Sequence, residues 1–199
     1  MTIIDDPIYS SARTKPISLS LGQQQSLILM LTLGAFAWRM HDLGEQSLWR
    51  DEVDAIYFAL RDLPQTLSMF VQAGQNGALY FLSLRPWLQT VGSSEFALRL
   101  PSAIFGTLAI PLTWQVARRL ISGRDNHAES SVNDAHTTPK TFPLTAILPP
   151  LLAALLIAVN PYQLWYSQEG KMYALVTALT ILATLFWLDG IGKGGWRPW

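Results

Sequence analysis

The sequence predicts an all-α membrane protein, and three observations carry that expectation. Half of the 199 residues are hydrophobic and only 14% are charged, where soluble domains carry about a quarter charged residues. Four long stretches hold no charge: between Lys15 and Arg39, Arg99 and Arg118, Lys140 and Glu169, and Lys171 and Asp189. The remaining charges are sorted by sign along the chain. A helix of about 20 apolar residues crosses the hydrocarbon core and satisfies its own backbone there. Four spans are therefore expected, at about 24–40, 98–118, 143–161 and 171–189.

Residues 1–23 read as a polar tail carrying Arg13 and Lys15. The first span begins weakly, because Gln23, Gln24 and Gln25 thin its start. It sits behind that tail and lacks a small-residue cleavage pattern, so it does not read as a signal peptide. An outer segment, 42–97, follows. Val53, Ile56, Tyr57 and Leu60 recur at i, i+3, i+4 and i+7, one face of a helix that Pro64 should stop. A second apolar run, Leu79 to Leu82 with Leu84, Trp87 and Leu88, is interrupted by Arg85-Pro86 and too short to span. Amphipathic helices in the membrane interface are expected here. Gly92-Ser93-Ser94-Glu95 reads as a capped entry into the second span.

Between the second and third spans, residues 121–142 have almost no large apolar side chain and read as a flexible inner linker. His127 and His136 in it read as solvated residues rather than metal ligands. Residues 191–199 form a second tail with Lys193 and Arg197. Arg118, Arg119, Arg124 and Lys140 flank or lie in the linker. The bias of Lys and Arg toward the cytoplasm then puts both tails and the linker inside, and 42–97 and 160–170 outside. Seven acids against three bases between 42 and 98 agree with that side.

Zero net charge offers no argument for nucleic acid, and the lack of cysteine excludes disulfides, a thiol nucleophile and a cysteine zinc site. A transporter would be expected to place ionisable residues within its spans, and these spans have none between their flanking charges.

Three outer patches could carry chemistry. Asp51 and Glu52 are adjacent acids beside Trp49 and Arg50. A carboxylate there could deprotonate a hydroxyl or hold a divalent cation, or simply favour the first turn of a helix. Gln168, Glu169, Lys171 and Tyr173 crowd into a short turn between the last two spans. Lys171 at a helix start calls for an anionic partner, Glu169 locally or a bound phosphate; the structural alternative is an aromatic belt with a snorkelling lysine. Asn76-Gly77 reads as a turn, and Glu95 with Arg99 as a pair along one helix.

In order, these strings resemble the N-terminal part of the GT-C membrane glycosyltransferases of the family 39 kind, which includes protein O-mannosyltransferases. The matching strings are Ser47-Leu48-Trp49-Arg50-Asp51-Glu52, Asn76-Gly77-Ala78-Leu79-Tyr80, Ser94 through Ser102 with Phe105-Gly106, and Asn160-Pro161 through Leu175. The resemblance implies transfer of a sugar from a polyprenyl-phosphate donor to an acceptor hydroxyl of a glycan, lipid or protein, with inversion, at the outer membrane face; the sequence shows no organelle signal, so a bacterial inner membrane is the expected home. It implies catalytic roles for Asp51 and Glu52, with Asp51 as the base, and substrate-binding roles for Gln168, Glu169, Lys171 and Tyr173. Lys171 stands where the family has arginine, and Asn76-Gly77-Ala78 where many members have His-Pro-Pro. Some members use a divalent cation, Mg or Mn, and others none. Members usually have more spans, so this chain is expected to be a truncated form. The alternative is a non-catalytic membrane module that binds lipid or assembles with a partner chain.

Overall fold

The computed structural model describes residues 18–71, 77–129 and 141–192. The protein is mostly helical. A short strand β1 (Ser18–Ser20) leads into α1 (Leu21–Met40); α2 (Arg50–Leu60), α3 (Leu63–Met69) and α4 (Ala78–Val91) follow. Next come α5 (Glu95–Glu129), strand β2 (Thr141–Pro143), α6 (Leu144–Val159), α7 (Pro161–Ser167) and α8 (Tyr173–Gly192).

α5 is the central helix, and α1, α6, α7 and α8 pack around it. Among the described residues, two helices are long and apolar enough to cross a membrane, Glu95–Ile121 and Tyr173–Ile191. A third candidate is the pair α6–α7, bent by 56°. The bend has a local cause. Pro161 disfavours the helical conformation in Asn160, which takes ψ 124° and caps α7 by accepting from the amides of Tyr162 and Gln163. Four spans were expected. At the first of them α1 has the length, 20 residues, but is less apolar than the other candidates. Its Gln23, Gln24 and Gln25 are the reason: Gln23 closes a capping box with Ser20, and Gln24 is buried and donates to the carbonyl of Leu19.

The outward faces of these helices are apolar. Most of the apolar length of α8 is not buried within the protein, and Val176, Phe186 and Trp187 are exposed. On α1, Leu29, Met30 and Leu33 are likewise exposed. Faces of this kind suit a lipid environment. Inside, Ile28, Ala35, Ile110, Trp114, Ala154 and Ala158 form one core cluster where α1, α5 and α6 meet.

The helices gather the loops at two ends. At one end β1 pairs antiparallel with β2, and Arg119 on α5 binds Asp189 on α8 at 2.7 Å. At the other lie the 41–49 turn, α2 to α4, α7 and the turn before α8. There Ala55, Ala59, Tyr80, Leu84, Leu88, Leu98 and Leu175 form a second core cluster.

Several expectations need revision here. The connector foreseen at 121–142 is shorter, because α5 runs on to Glu129 and Thr141–Pro143 is a strand. Its middle, with His136, lies outside the described residues, as do Asn76 and most of both expected tails. Pro64 does not simply end α2; it sits in the first turn of α3, where its missing N–H costs no hydrogen bond. On α2, Val53, Tyr57 and Leu60 are exposed, as an interfacial helix requires, while Ile56 is half-buried against the second core cluster and Glu52, Ala55 and Ala59 turn inward.

Candidate functional site

Every residue singled out in the two outer acidic and basic strings lies at this second end. Trp49 leaves the helical conformation, and its amide hydrogen binds the Glu52 carboxylate at 3.1 Å, so α2 begins with both acids in its first turn. One acid turns in and the other out. Successive helical residues point about 100° apart, which is how neighbours acquire opposite surroundings.

Glu52 is 1% exposed, and its carboxylate is fully engaged. Oε1 accepts from Arg99 Nε at 2.9 Å and from the amide of Gly170 at 2.7 Å. Oε2 accepts from Arg99 Nη2 at 2.7 Å and from the Trp49 amide. The pair is bidentate and buried. Burial pushes the Glu52 carboxyl up, but the hydrogen bonds from Arg99, Gly170 and Trp49 outweigh it and hold the group below the usual carboxylate range. Arg99 then donates onward to the carbonyls of Leu43, Gln46 and Ser47. Four pieces of chain are clasped: the 43–47 turn, α2, α5 and the turn before α8. Arg99 does not take its partner from the same helix, as the spacing to Glu95 suggested; its partner is 47 residues away.

Asp51 faces out, with a side chain 72% exposed. Its Oδ2 lies 3.3 Å from Lys171 Nζ. The anionic partner that the lysine calls for is therefore Asp51, not Glu169. Lys171 is held by its own backbone, whose carbonyl accepts from Ser102 on α5 at 3.1 Å. Burial pushes the Glu169 carboxyl up, opposed by a hydrogen bond to Trp165 and by Lys171, and reinforced by the charges of Glu52 and Asp51. Trp165 meets Trp49 edge to face, with ring centroids 6.4 Å apart. These two rings with Gln46, Glu52, Arg99, Gln168 and Glu169 line a small cavity of about 70 Å³.

Gln168 donates from Nε2 to the carbonyls of Arg39 and His41, both at 3.2 Å, tying the turn before α8 to the end of α1. Tyr173 packs against Tyr166 at 4.6 Å between ring centroids and is exposed. Asp51, Glu52, Glu169 and Lys171 thus form one locus; Gln168 braces it, and Tyr173 lies in an aromatic pair on the α7–α8 side.

Among the described residues no three His, Cys, Asp or Glu side chains are grouped to hold a metal ion. Asp51 faces an ammonium group and Glu52 has its oxygens filled, so this donor set does not fit a cation held by protein ligands.

The spacing of charges along the chain points to Asp51 and Lys171. It does not point to Arg99 as the hub, to Gly170 as a donor or to Gln46 as a wall. Their roles depend on contacts between distant segments. One available signal was that a capped helix start placed Arg99 one turn inside α5, at the same end as Asp51 and Glu52. Compared with protein-family models, curated proteins and solved structures, the chain finds no match.

Proposed function

We propose that the protein is a glycosyltransferase that moves a sugar from a polyprenyl-phosphate donor to an acceptor hydroxyl at the outer face of a bacterial inner membrane, with both termini cytoplasmic. The observation that carries this reading is the meeting of Asp51 with Lys171, 3.3 Å apart, from two strings far apart in sequence. The acceptor oxygen attacks the anomeric carbon while its proton passes to Asp51. The bond from that carbon to the phosphate oxygen breaks, and the electron pair leaves on the phosphate, whose charge Lys171 stabilises. Lys171 reaches the phosphate as a point charge, without the bidentate fork of an arginine. Glu52 acts as a positioning residue, since its oxygens are occupied by Arg99, Trp49 and Gly170.

The reading is tested with membranes containing this chain and a panel of radiolabelled polyprenyl-phosphate sugars. Asp51→Asn should lower transfer by at least about 100-fold. Lys171→Ala should lose transfer, and Lys171→Arg should retain more of it. A second reading, a non-catalytic membrane module that binds lipid or joins a partner chain, draws on the Glu52 clasp, which uses one of the two adjacent acids for structure. Absence of transfer from the unaltered chain, inserted and folded, would favour that second reading.

A further inference from the structure

Beside the small cavity that holds Glu52 and Glu169 lies a larger cleft, which no motif of the sequence announces. It has a volume of about 470 Å³ and is walled by Trp38, His41, Asp42, Glu45, Gln46 and Gln168, with Leu43 and Arg99 at its base. Gln46, Arg99 and Gln168 also wall the small cavity that contains Glu169. The two spaces therefore back onto each other across three side chains.

The cleft is built rather than accidental. Its rim is the 41–47 turn, and that turn is held by its backbone. Arg99 takes the carbonyls of Leu43, Gln46 and Ser47, and Gln168 takes those of Arg39 and His41. Leu43 anchors it at 2% exposure. Asp42 has φ 56°, the left-handed region that residues other than glycine seldom adopt. Its carboxylate meets His41 Nδ1 at 2.8 Å. The volume falls within the roughly 300–1,000 Å³ typical of small-ligand sites.

The lining selects a chemistry. Trp38 is 54% exposed and offers an indole face. Asp42, Glu45 and Gln46 offer acceptors and an amide. Arg99 brings no net charge, because Glu52 neutralises it. Acids at the rim repel anions. An aromatic face ringed by acceptors and an amide fits the C–H faces and hydroxyls of a pyranose.

We propose that this cleft is the acceptor subsite and takes a neutral sugar unit, so that the acceptor is a glycan rather than a peptide. The proposal rests on the glycosyltransferase reading for the word acceptor, but sugar binding can be measured without transfer.

The experiment uses the full chain in lipid nanodiscs. Neutral methyl disaccharides and their uronate-containing counterparts are titrated, and binding is read by saturation transfer to the sugar C–H protons. Saturable binding of neutral disaccharides is expected, with Kd on the order of 1 mM. The uronates should bind at least about tenfold more weakly, and Glu45→Gln should narrow that gap, a change that loss of packing would not produce. Trp38→Ala should weaken binding at least about tenfold. Asp51→Asn should lower transfer at least about 100-fold while saturable disaccharide binding remains measurable. Sugar binding by a chain that transfers nothing would overturn the glycosyltransferase reading and keep the cleft as a glycan site. Transfer to a non-sugar acceptor, with no disaccharide bound, would overturn the cleft assignment and keep the enzyme. Binding unaffected by Trp38→Ala would also overturn it.

Discussion

Asp51 and Glu52 are neighbours with opposite fates, and the difference governs how each responds to mutation. Removing one partner of a buried ion pair costs about 3–5 kcal/mol, because the other charge is left uncompensated. Glu52→Gln should therefore lower the midpoint of thermal unfolding in detergent sharply. Pairing it with Arg99→Met should recover part of that loss. The pH dependence follows from the direction of the shift. The Glu52 carboxyl is held below its ordinary range when folded, so its stabilisation is present above the unfolded carboxyl pKa and is lost as pH falls through the folded one. Unfolding midpoints measured from pH 6 downward, starting above the ordinary Glu pKa of about 4.3, should fall in the unaltered chain. The Glu169 carboxyl, raised by burial, contributes in the opposite sense, losing stability as pH rises through that region. The acid-side fall should thus steepen in Glu169→Gln and flatten in Glu52→Gln. The Asp51–Lys171 pair behaves differently. It is largely exposed on the Asp51 side, and such pairs contribute about 0–1 kcal/mol. Lys171→Ala should leave the unfolding midpoint nearly unchanged, so any loss of transfer in it reports on chemistry and not on folding.

Among the elements, the contact of α5 with the end of α7 and the turn before α8 depends on two glycines. A Cβ on Gly106 would stand 2.4 Å from Ser167 Cβ, and one on Gly170 would stand 2.5 Å from Leu98 Cγ. Ser167 and Leu98 are fully buried and have no room to withdraw. Overpacking of this sort costs about 1–3 kcal/mol. Gly106→Ala and Gly170→Ala should each destabilise by that amount in denaturant unfolding. Gly34→Ala on α1 should stabilise by about 0.5–1 kcal/mol, since nothing lies within 4 Å of its Cβ position and a helical interior favours alanine. The same interface shows what sequence patterns can and cannot carry. The existence of α2, α5, α6 and α8 was legible from apolar runs and caps, because those signals are local. The inward face of α2 was not. Val53, Tyr57 and Leu60 point outward as an interfacial helix would, but the face opposite them buries the acid Glu52 with Ala55 and Ala59. Nothing local marks that face, and only the position of Arg99 decides where Glu52 goes. Proline effects were similarly incomplete. Pro101 cannot donate to the carbonyl of Ala97, and the indole of Trp87 on α4 fills the gap at 2.7 Å. Nothing local connects Trp87 to Ala97.

Across the whole molecule, the grouping of segments at two ends was legible from the placement of Lys and Arg, because each charge-free stretch carries the chain from one end to the other. The 41–49 turn, α2 to α4 and the turn before α8 share one end; β1, β2, Arg119 and Asp189 share the other. Less legible was the number of helices apolar enough to span. Charge-free length treats glutamine as neutral filler, whereas three consecutive glutamines at the start of α1 lower its apolarity, and Gln23 and Gln24 turn to local hydrogen bonds. The two ends do not by themselves tell which faces the cytoplasm, and the chain has a property that makes this measurable. It contains no cysteine, so single cysteines can be placed on a silent background. Ser18 at the start of β1 and Gln65 on α3 are both exposed, at opposite ends. The bias of basic residues toward the cytoplasm puts Ser18 inside and Gln65 outside. In intact bacteria expressing the two variants, a membrane-impermeant maleimide should label Gln65→Cys and spare Ser18→Cys, and both should react once the cells are opened. The reverse pattern would place Asp51 and Lys171 in the cytoplasm, where an outward-facing donor could not reach them. Labelling of both in intact cells would mean that α1 does not cross the bilayer, which is where its glutamines leave it weakest.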